Sequence, residues 1–143
     1  MREGVPRKLK QSVAARANGC CEYCMSQAKF AVQPFAIEHI RPRCHGGKTV
    51  LSNLALACQG CNNHKYNKLC GQDPVGDYET LLFNPRQNSW VEHFAWNHDF
   101  TIILGRTAIG RTTVEELNMN RTGVVNLRRL LFESGEHPPV SEF

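Results

Sequence analysis

Cys21-Glu22-Tyr23-Cys24 and Cys58-Gln59-Gly60-Cys61 are two Cys-x-x-Cys pairs, and they decide the fold expected for this 143-residue chain. Two residues between cysteines let both thiolates point at one tetrahedral ion, and two such pairs fill a four-coordinate zinc site. The pairs are separated by 33 residues, more than a compact zinc finger contains, so a small folded module must lie between them. We predict one structural Zn²⁺ bound by Cys21, Cys24, Cys58 and Cys61, because a closed shell of four thiolates leaves no position for a substrate.

Free thiols and disulfides are the alternatives to zinc for these cysteines. Four buried free thiols would behave as small hydrophobic residues, but the matched spacing favours zinc. The first ten residues are charged with no apolar stretch behind them, so we expect no secretory signal and a reducing, cytoplasmic setting without disulfides. Cys20 competes with Cys21 but has the wrong spacing to Cys24, and Cys44 and Cys70 lie outside both pairs.

Composition narrows the class of protein further. Apolar residues make up 41% and charged residues 21% of the chain, which is enough to build a core within one ordinary domain length. No run approaches the ~20 apolar residues of a membrane-spanning helix, so we expect no membrane partner. The formal charge of +4 is compatible with a polyanionic partner but does not by itself indicate one.

The first half of the chain shows a simple order of elements. Residues 7–17 have the pattern of an amphipathic helix, and residues 35–40 and 54–57 are short apolar runs typical of strands. A polar, helix-compatible stretch follows at 59–69. The centre is therefore predicted as strand, long loop, strand and helix.

The second half begins at a Gly/Asp/Pro-rich linker, residues 71–78, which is the best candidate boundary. It divides the chain into 1–70 and 71–143, two parts that could also form one continuous domain. Beyond it, residues 90–96 are amphipathic and aromatic, and 100–104 has the pattern of a strand. Trp90, Phe94 and Trp96 are expected in a core rather than in a base-stacking surface, because this part has few other large residues.

Two helices complete the prediction. Thr112, with Glu115 three residues later, forms a capping-box pattern that would open a short helix. Residues 124–133 predict a last helix ending at Gly135, with its apolar face formed by Leu127, Leu130 and Leu131. The tail, 137–143, contains two prolines and is expected to be loose.

Between the cysteine pairs lies a recognisable set of polar residues. Glu38-His39 ends the first predicted strand, Asn53 stands 14 residues after His39, and Asn62 a further 9 residues on, directly after Cys61. With His45-Gly46-Gly47 and the run Cys-x-x-Cys-Asn-x-x-Lys, the segment closely resembles the HNH endonuclease family, in particular its zinc-bearing members. The resemblance covers about residues 12–68, and the tract 82–131 is similar to a C-terminal extension of small bacterial HNH proteins.

This resemblance implies an α+β fold: a ββα-metal nuclease core stapled by the four-cysteine zinc site, with an N-terminal helix and a small C-terminal α/β extension. It also implies a metal-dependent DNA endonuclease in which His39 is the general base and Asn53 fixes the loop and the orientation of His39. Glu38 and Asn62 would hold one catalytic Mg²⁺ or Mn²⁺.

Elementary chemistry agrees with these roles. Phosphodiester hydrolysis needs an activated water and a cation beside the phosphate. A histidine titrates near neutrality, and carboxylate and amide oxygens suit Mg²⁺.

This chain departs from the usual family pattern at two positions. The family often has Asp at the position of Glu38 and His at the position of Asn62. His64 lies two residues beyond Asn62 and would face away from it on a helix. Successive strand residues point to opposite faces, so a strand end or bulge would have to re-aim Glu38 or His39 for both to serve one site.

A group of basic residues lies in or beside this segment and would contact nucleic acid: Arg41, Arg43, Lys48, His64, Lys65 and Lys68. The alternative for each residue singly is a solvated surface. Two other functions stay open, a zinc-stabilised DNA-binding module with an inactive centre and a nuclease acting on RNA. The sequence sets no oligomeric state.

Overall fold

The structure, a computed structural model, describes residues 4–139. The chain has an α+β fold, as predicted, in which every sheet is a two-stranded antiparallel hairpin within the described range. The helices and strands are α1 Arg7–Arg16, β1 Ala36–His39, β2 Leu54–Ala57, α2 Gln59–Lys65, β3 Cys70–Gln72, β4 Glu79–Leu81, α3 Trp90–His93, β5 Phe94–Trp96, β6 Ile103–Gly105, α4 Ala108–Glu116 and α5 Thr122–Glu133. No helix within this range has the length and apolar character needed to cross a membrane.

The first hairpin and the helix after it form the predicted strand, loop, strand and helix. β1 and β2 pair in continuous register from Ala36 opposite Ala57 to His39 opposite Leu54. All four residues of β2 are buried, because α1 covers one of its faces and the cysteine pairs cover the other. α1 is confirmed and contributes Val13 to this packing, together with Ala17 directly after the helix.

α2 is shorter than the predicted 59–69 and ends at Lys65. Tyr66 then adopts φ 51° and ψ −113°, and the amide of Lys68 donates to the carbonyl of Lys65 at 2.9 Å. These values are those of the first central residue of a type II′ turn, a position that glycine normally occupies. The turn reverses the chain towards β3, with the Tyr66 side chain 77% exposed.

The extension shares its core with the first half of the chain. Trp90 and Phe94 are buried in one cluster with the four predicted zinc ligands, which confirms that these aromatic residues belong to a core. The indole nitrogen of Trp90 donates to the carbonyl of Tyr23 at 2.8 Å. The division into 1–70 and 71–143 stays a prediction.

The boundary segment itself differs from a simple linker. β3 and β4 pair on either side of it, from Cys70 opposite Leu81 to Gln72 opposite Glu79. The turn between them is held by the buried carboxylate of Asp73, which pairs with Arg111 at 2.8 Å. Residues 71–78 are therefore largely a hairpin docked onto α4.

The capping box predicted at Thr112 is wrong. α4 begins earlier, at Ala108, where the hydroxyl of Thr107 accepts a hydrogen bond from the amide of Gly110 at 3.0 Å. Thr112 is buried inside the helix. Thr107 lacks the Glu or Gln that a capping box places three residues later, since Gly110 stands there, but its hydroxyl still caps the helix. A side chain at Gly110 would overlap the carbonyl of His93, so the first turn of α4 packs closely against α3.

Three smaller expectations were also wrong in detail. The strand predicted at 100–104 is β6, Ile103–Gly105, because Phe100 has a positive φ of 59° and lies in a turn. Leu130 of α5 is 65% exposed instead of packing beside Leu127 and Leu131. His137 is buried and its ring nitrogen lies 2.8 Å from the Phe100 carbonyl, so the tail is not loose there. The rest of the predicted tail, from residue 140 on, lies outside the described residues.

We predict that Tyr66→Gly raises the melting temperature. The strained backbone of Tyr66 costs about 1–3 kcal/mol, glycine adopts the same conformation freely, and the exposed ring loses few contacts. A gain of 1 kcal/mol corresponds to roughly 2–4 °C for a domain of this size, measurable by calorimetry. Tyr78→Gly is the control, since Tyr78 is 75% exposed and has no positive φ. An equal or lower melting temperature for Tyr66→Gly than for Tyr78→Gly would contradict the assignment of strain.

Candidate functional site

The four paired cysteines meet at one point. Their sulfur atoms all lie within 4.8 Å of one another, and all four side chains are buried. The Sγ atoms of Cys24 and Cys58 are 3.6 Å apart, close to the ~3.8 Å edge of a tetrahedron with Zn–S bonds near 2.3 Å. The donor set fits a structural zinc ion, and within residues 4–139 no other cluster of three or more Cys, His, Asp or Glu side chains suits a metal.

Backbone amides support the sulfur atoms. The amide of Cys24 donates to Sγ of Cys21 at 3.5 Å, and the amide of Cys61 donates to Sγ of Cys58 at 3.4 Å. Cys58 is also the N-cap of α2, so the same sulfur satisfies a free amide of the first helical turn. Donors aimed at sulfur stabilise thiolates, which is the form that binds zinc.

An arginine of the extension also donates a hydrogen bond to the cysteine cluster. Arg121, at the start of α5, donates from Nη2 to Sγ of Cys58 at 3.2 Å. A side chain at Gly60 would overlap the Arg121 guanidinium, so glycine between Cys58 and Cys61 is what allows the contact. The sequence did not predict this role of Arg121. The one signal for it was Gly60, a glycine between Cys58 and Cys61 where another chain group could approach closely.

Glu38 occupies the inner face of β1. Its side chain is 4% exposed; Oε2 accepts a hydrogen bond from the Tyr23 hydroxyl at 2.5 Å, and Oε1 lies 2.5 Å from Nζ of Lys65. Burial raises the pKa of the Glu38 carboxyl above its ordinary value, and the Lys65 ammonium and Tyr23 hydroxyl oppose that shift. The carboxylate is thus held in a buried triad between the first cysteine pair, β1 and α2.

Lys65 corrects one sequence-based assignment. It was expected on a surface that contacts nucleic acid, but its side chain is 2% exposed. Its ammonium donates to the carbonyl of Ile40 at 2.8 Å and pairs with Glu38. The position is buried because α2 packs directly on the β1 face that carries Glu38.

His39 points the other way. β1 continues in regular register through His39 without the bulge considered above, so Glu38 and His39 lie on opposite faces. Nε2 of His39 is 2.8 Å from the hydroxyl of Thr49, a partner that the sequence analysis did not identify. Partial burial lowers the pKa of His39 below its ordinary value, and the charges of Arg43 and Lys65 lower it further, so the neutral imidazole predominates at pH 7.

Asn53 clamps the loop that follows His39. Its amide nitrogen donates to the carbonyls of Arg41 at 3.1 Å and Lys48 at 2.9 Å, and its oxygen accepts from the Arg41 amide at 2.8 Å. A side chain at Gly47 would overlap the Arg41 carbonyl. Asn53 therefore fixes the conformation of the loop 41–48. Its own hydrogen bonds, within the described residues, do not include one to His39.

Asn62 lies on α2, three residues before Lys65, and its side chain makes no hydrogen bond to any residue between 4 and 139. Oε1 of Glu38 likewise accepts no hydrogen bond of normal geometry, although Lys65 neutralises its charge. Carboxylate and amide oxygens are the donors that suit a hard cation, but Oε1 of Glu38 is already engaged by the Lys65 ammonium at 2.5 Å. An ion there would have to share Glu38 with the Lys65 ammonium.

The remaining basic residues lie at the surface. Arg41, Arg43 and Lys48 are exposed along the loop after β1. Lys68 is partly exposed and pairs with Glu116 at 2.9 Å. The exposed ring of His64 bonds through Nδ1 to the carbonyl of Gly60 at 2.8 Å, on the same helix.

The comparisons with known proteins address this segment. A model of the HNH endonuclease family matches residues 21–68, which confirms the resemblance seen in the sequence. The match runs from the first cysteine of the cluster to Lys68 and contains every candidate site residue described above except Arg121. No curated protein and no solved structure matches the chain.

We predict that Cys58→Ala loses bound zinc and most of the folded population. A structural zinc ion contributes about 10–16 kcal/mol of apparent binding free energy in small zinc domains, and three cysteines cannot close the tetrahedron. Elemental analysis should find one zinc per chain in the wild type, and circular dichroism should follow unfolding on chelation. Cys44→Ala is the control, because Cys44 is exposed and outside the cluster. Equal zinc content in both variants would refute the site.

Proposed function

We propose that this protein is an endonuclease that hydrolyses phosphodiester bonds of DNA, with His39 as the general base. The proposal rests on the position and the protonation state of His39. Its neutral imidazole is held at the end of β1, inside a segment that matches the HNH endonuclease family. A neutral imidazole accepts a proton from water at neutral pH.

The contact with Thr49 indicates which nitrogen acts. Nε2 is engaged with the Thr49 hydroxyl, whereas Nδ1 makes no hydrogen bond to any residue that the structure describes. If Nε2 carries the proton and donates it to Thr49, the lone pair of Nδ1 is left for water. Thr49 is then a positioning residue that holds the ring and its tautomer.

The catalytic metal belongs to the same proposal. Glu38 and Asn62 are the residues that would hold one Mg²⁺ or Mn²⁺, which supplies positive charge to the phosphate and the leaving oxygen when bound. Because Glu38 lies on the face of β1 opposite to His39, its carboxylate would have to turn away from Lys65 to hold that ion beside the water that His39 activates. Lys65 keeps the Glu38 carboxylate charged and in place before an ion arrives. Asn53 keeps the loop 41–48 against the end of β1, so that the exposed cations of that loop face the same substrate.

The DNA backbone would be bound by the exposed cations Arg41, Arg43 and Lys48, with Lys68 and His64 at the edge of α2. Such contacts bind phosphates without reading sequence and weaken as salt rises. Lys65 is excluded from this set because of its burial. A plasmid cleavage assay therefore tests the hydrolysis step. The salt dependence of DNA binding tests the contacts of these cations with the phosphates.

We expect His39→Ala to lower the rate of plasmid nicking by roughly 10²–10⁴-fold at saturating Mg²⁺ or Mn²⁺, since this is the usual contribution of a general base. His98→Ala is the matched control, because His98 is exposed on the extension and should cleave normally. Equal cleavage by His39→Ala would end the assignment of the base. DNA binding without cleavage by the wild type would favour an inactive binding module, and cleavage of RNA alone would change the substrate.

Glu38→Gln and Asn62→Ala should weaken the apparent metal affinity, and excess Mn²⁺ should partly restore activity, whereas it should not rescue His39→Ala. Glu38→Gln should also lower the melting temperature, because removing one partner of a buried ion pair costs about 3–5 kcal/mol. Asn62→Ala should melt like the wild type. Metal titrations of activity with parallel melting curves separate the two effects, and metal rescue of His39→Ala alone would mean that ligand and base are exchanged.

A further inference from the structure

A cleft of about 380 Å³ lies between the HNH-like segment and the extension. One wall carries Arg41, just after β1, and Lys68, at the end of the HNH-like segment. The other wall carries the turn 84–88, between β4 and α3. Its volume lies within the roughly 300–1,000 Å³ range of small-molecule sites. None of the roles proposed above uses the residues of this turn.

The charged side chains that line the cleft are all cationic. Its charged side chains are Arg41, Lys65 and Lys68, and no carboxylate lines it within the described part of the chain. Lys65 is paired with Glu38 and Lys68 with Glu116. Among residues 4–139, the Arg41 guanidinium hydrogen-bonds only through Nε, which donates to the His45 carbonyl at 2.7 Å. Both terminal amino groups of Arg41 remain available for an anion.

Backbone hydrogen bonds fix the orientation of the Asn84 and Asn88 carboxamides in the turn. Oδ1 of Asn84 accepts from the amide of Arg86, and Oδ1 of Asn88 accepts from the amide of Asn84, both at 2.9 Å. A backbone amide only donates, so these contacts settle which end of each carboxamide is oxygen. The amino groups of Asn84 and Asn88 are left without partners in the region described, and so is the exposed side chain of Gln87.

The other surfaces of the cleft are apolar. Leu82, Phe83 and Ile109 line it beside the amides, and Leu82 and Phe83 belong to the buried core. Apolar walls for a flat ring, amide donors at its edge and a free guanidinium are the features that bind a nucleotide. The cleft also adjoins the candidate catalytic strand, because Ile40 and Arg41 follow His39 directly.

We propose that this cleft binds one nucleotide of the DNA strand near the cleaved bond, and that the turn 84–88 sets a base preference there. The proposal rests on the proposed function. Because the fixed amino groups donate, the cleft favours the keto bases guanine and thymine, whose carbonyls accept, over adenine and cytosine, which offer amino groups at the same positions. Arg41 binds the phosphate of the same nucleotide.

Asn88→Asp tests the base preference. It keeps the oxygen that holds the Asn84 amide but replaces the donor by an acceptor, so preference should move from guanine and thymine towards cytosine and adenine. Asn126→Asp is the control with the same change of charge, because Asn126 is exposed on α5 outside the cleft. Cleavage ends on a random DNA library are sequenced for the wild type and both variants, with melting temperatures alongside.

The expected result is a base bias of about tenfold at one position, the size of one lost or gained hydrogen bond. That bias should reverse in Asn88→Asp and persist in Asn126→Asp. Identical profiles for the two variants would overturn the inference.

A binding measurement tests the cleft independently of cleavage. Nuclear magnetic resonance spectra of the zinc-loaded protein are recorded with dGMP, dTMP, dCMP, dAMP or inorganic phosphate. The side-chain amide signals of Asn84, Gln87 and Asn88 should shift with dGMP and dTMP, and less with the other two nucleotides. Gln87→Ala should weaken the binding severalfold, whereas Gln33→Ala, at an exposed glutamine outside the cleft, should not.

The two experiments separate the proposals. Shifts with dGMP but no plasmid cleavage would refute the proposed function and leave the nucleotide site standing. Cleavage without nucleotide-dependent shifts would refute the nucleotide site alone. Equal shifts with phosphate and with every nucleotide would show an anion site and overturn the base preference.

Discussion

The four-cysteine cluster is the constraint on which the rest of the structure depends. It joins residues that are 37 positions apart in the sequence, from Cys21 to Cys58, and so closes the loop that contains the whole β1–β2 hairpin. The extension is tied to the same point, since Arg121 bonds Cys58 and the surrounding core contains Trp90 and Phe94. A metal that binds all four sulfurs therefore orders both halves at once.

The two faces of β1 carry different candidate site residues, because successive residues of a strand point to opposite faces. Because β1 has no bulge, its inner face carries Glu38 into a buried triad and its outer face carries His39 to Thr49. The two adjacent residues thus meet different surroundings: burial favours the neutral form of each, but only Glu38 has an opposite charge beside it to offset that cost. A neutral imidazole suits the proposed base, whereas the Glu38 carboxylate suits the proposed metal ligand only once it turns away from Lys65.

Local patterns in the sequence predicted much of this arrangement. The cysteine spacing, the hairpin from 36 to 57 and α1 depend on neighbouring residues and periodicity, and the structure confirms them. The capping box at Thr112 was wrong because α4 begins earlier, at a threonine that caps the helix without the capping-box pattern, and Thr112 is buried inside it. Lys65, Thr49 and Arg121 depend on contacts across 10 to 63 positions, which no local pattern reports.

Tyr23 shows how the cluster reaches the candidate catalytic strand. It lies between Cys21 and Cys24, its hydroxyl donates to Glu38, and its carbonyl accepts from Trp90 of the extension. Loss of the cluster would free Tyr23, and Glu38 would then keep only Lys65 as a buried partner. Since a buried charge with incomplete partners is costly, the inner face of β1 would lose its order with the metal. Tyr23 therefore couples the extension to the candidate active site, although the two do not share a continuous sheet.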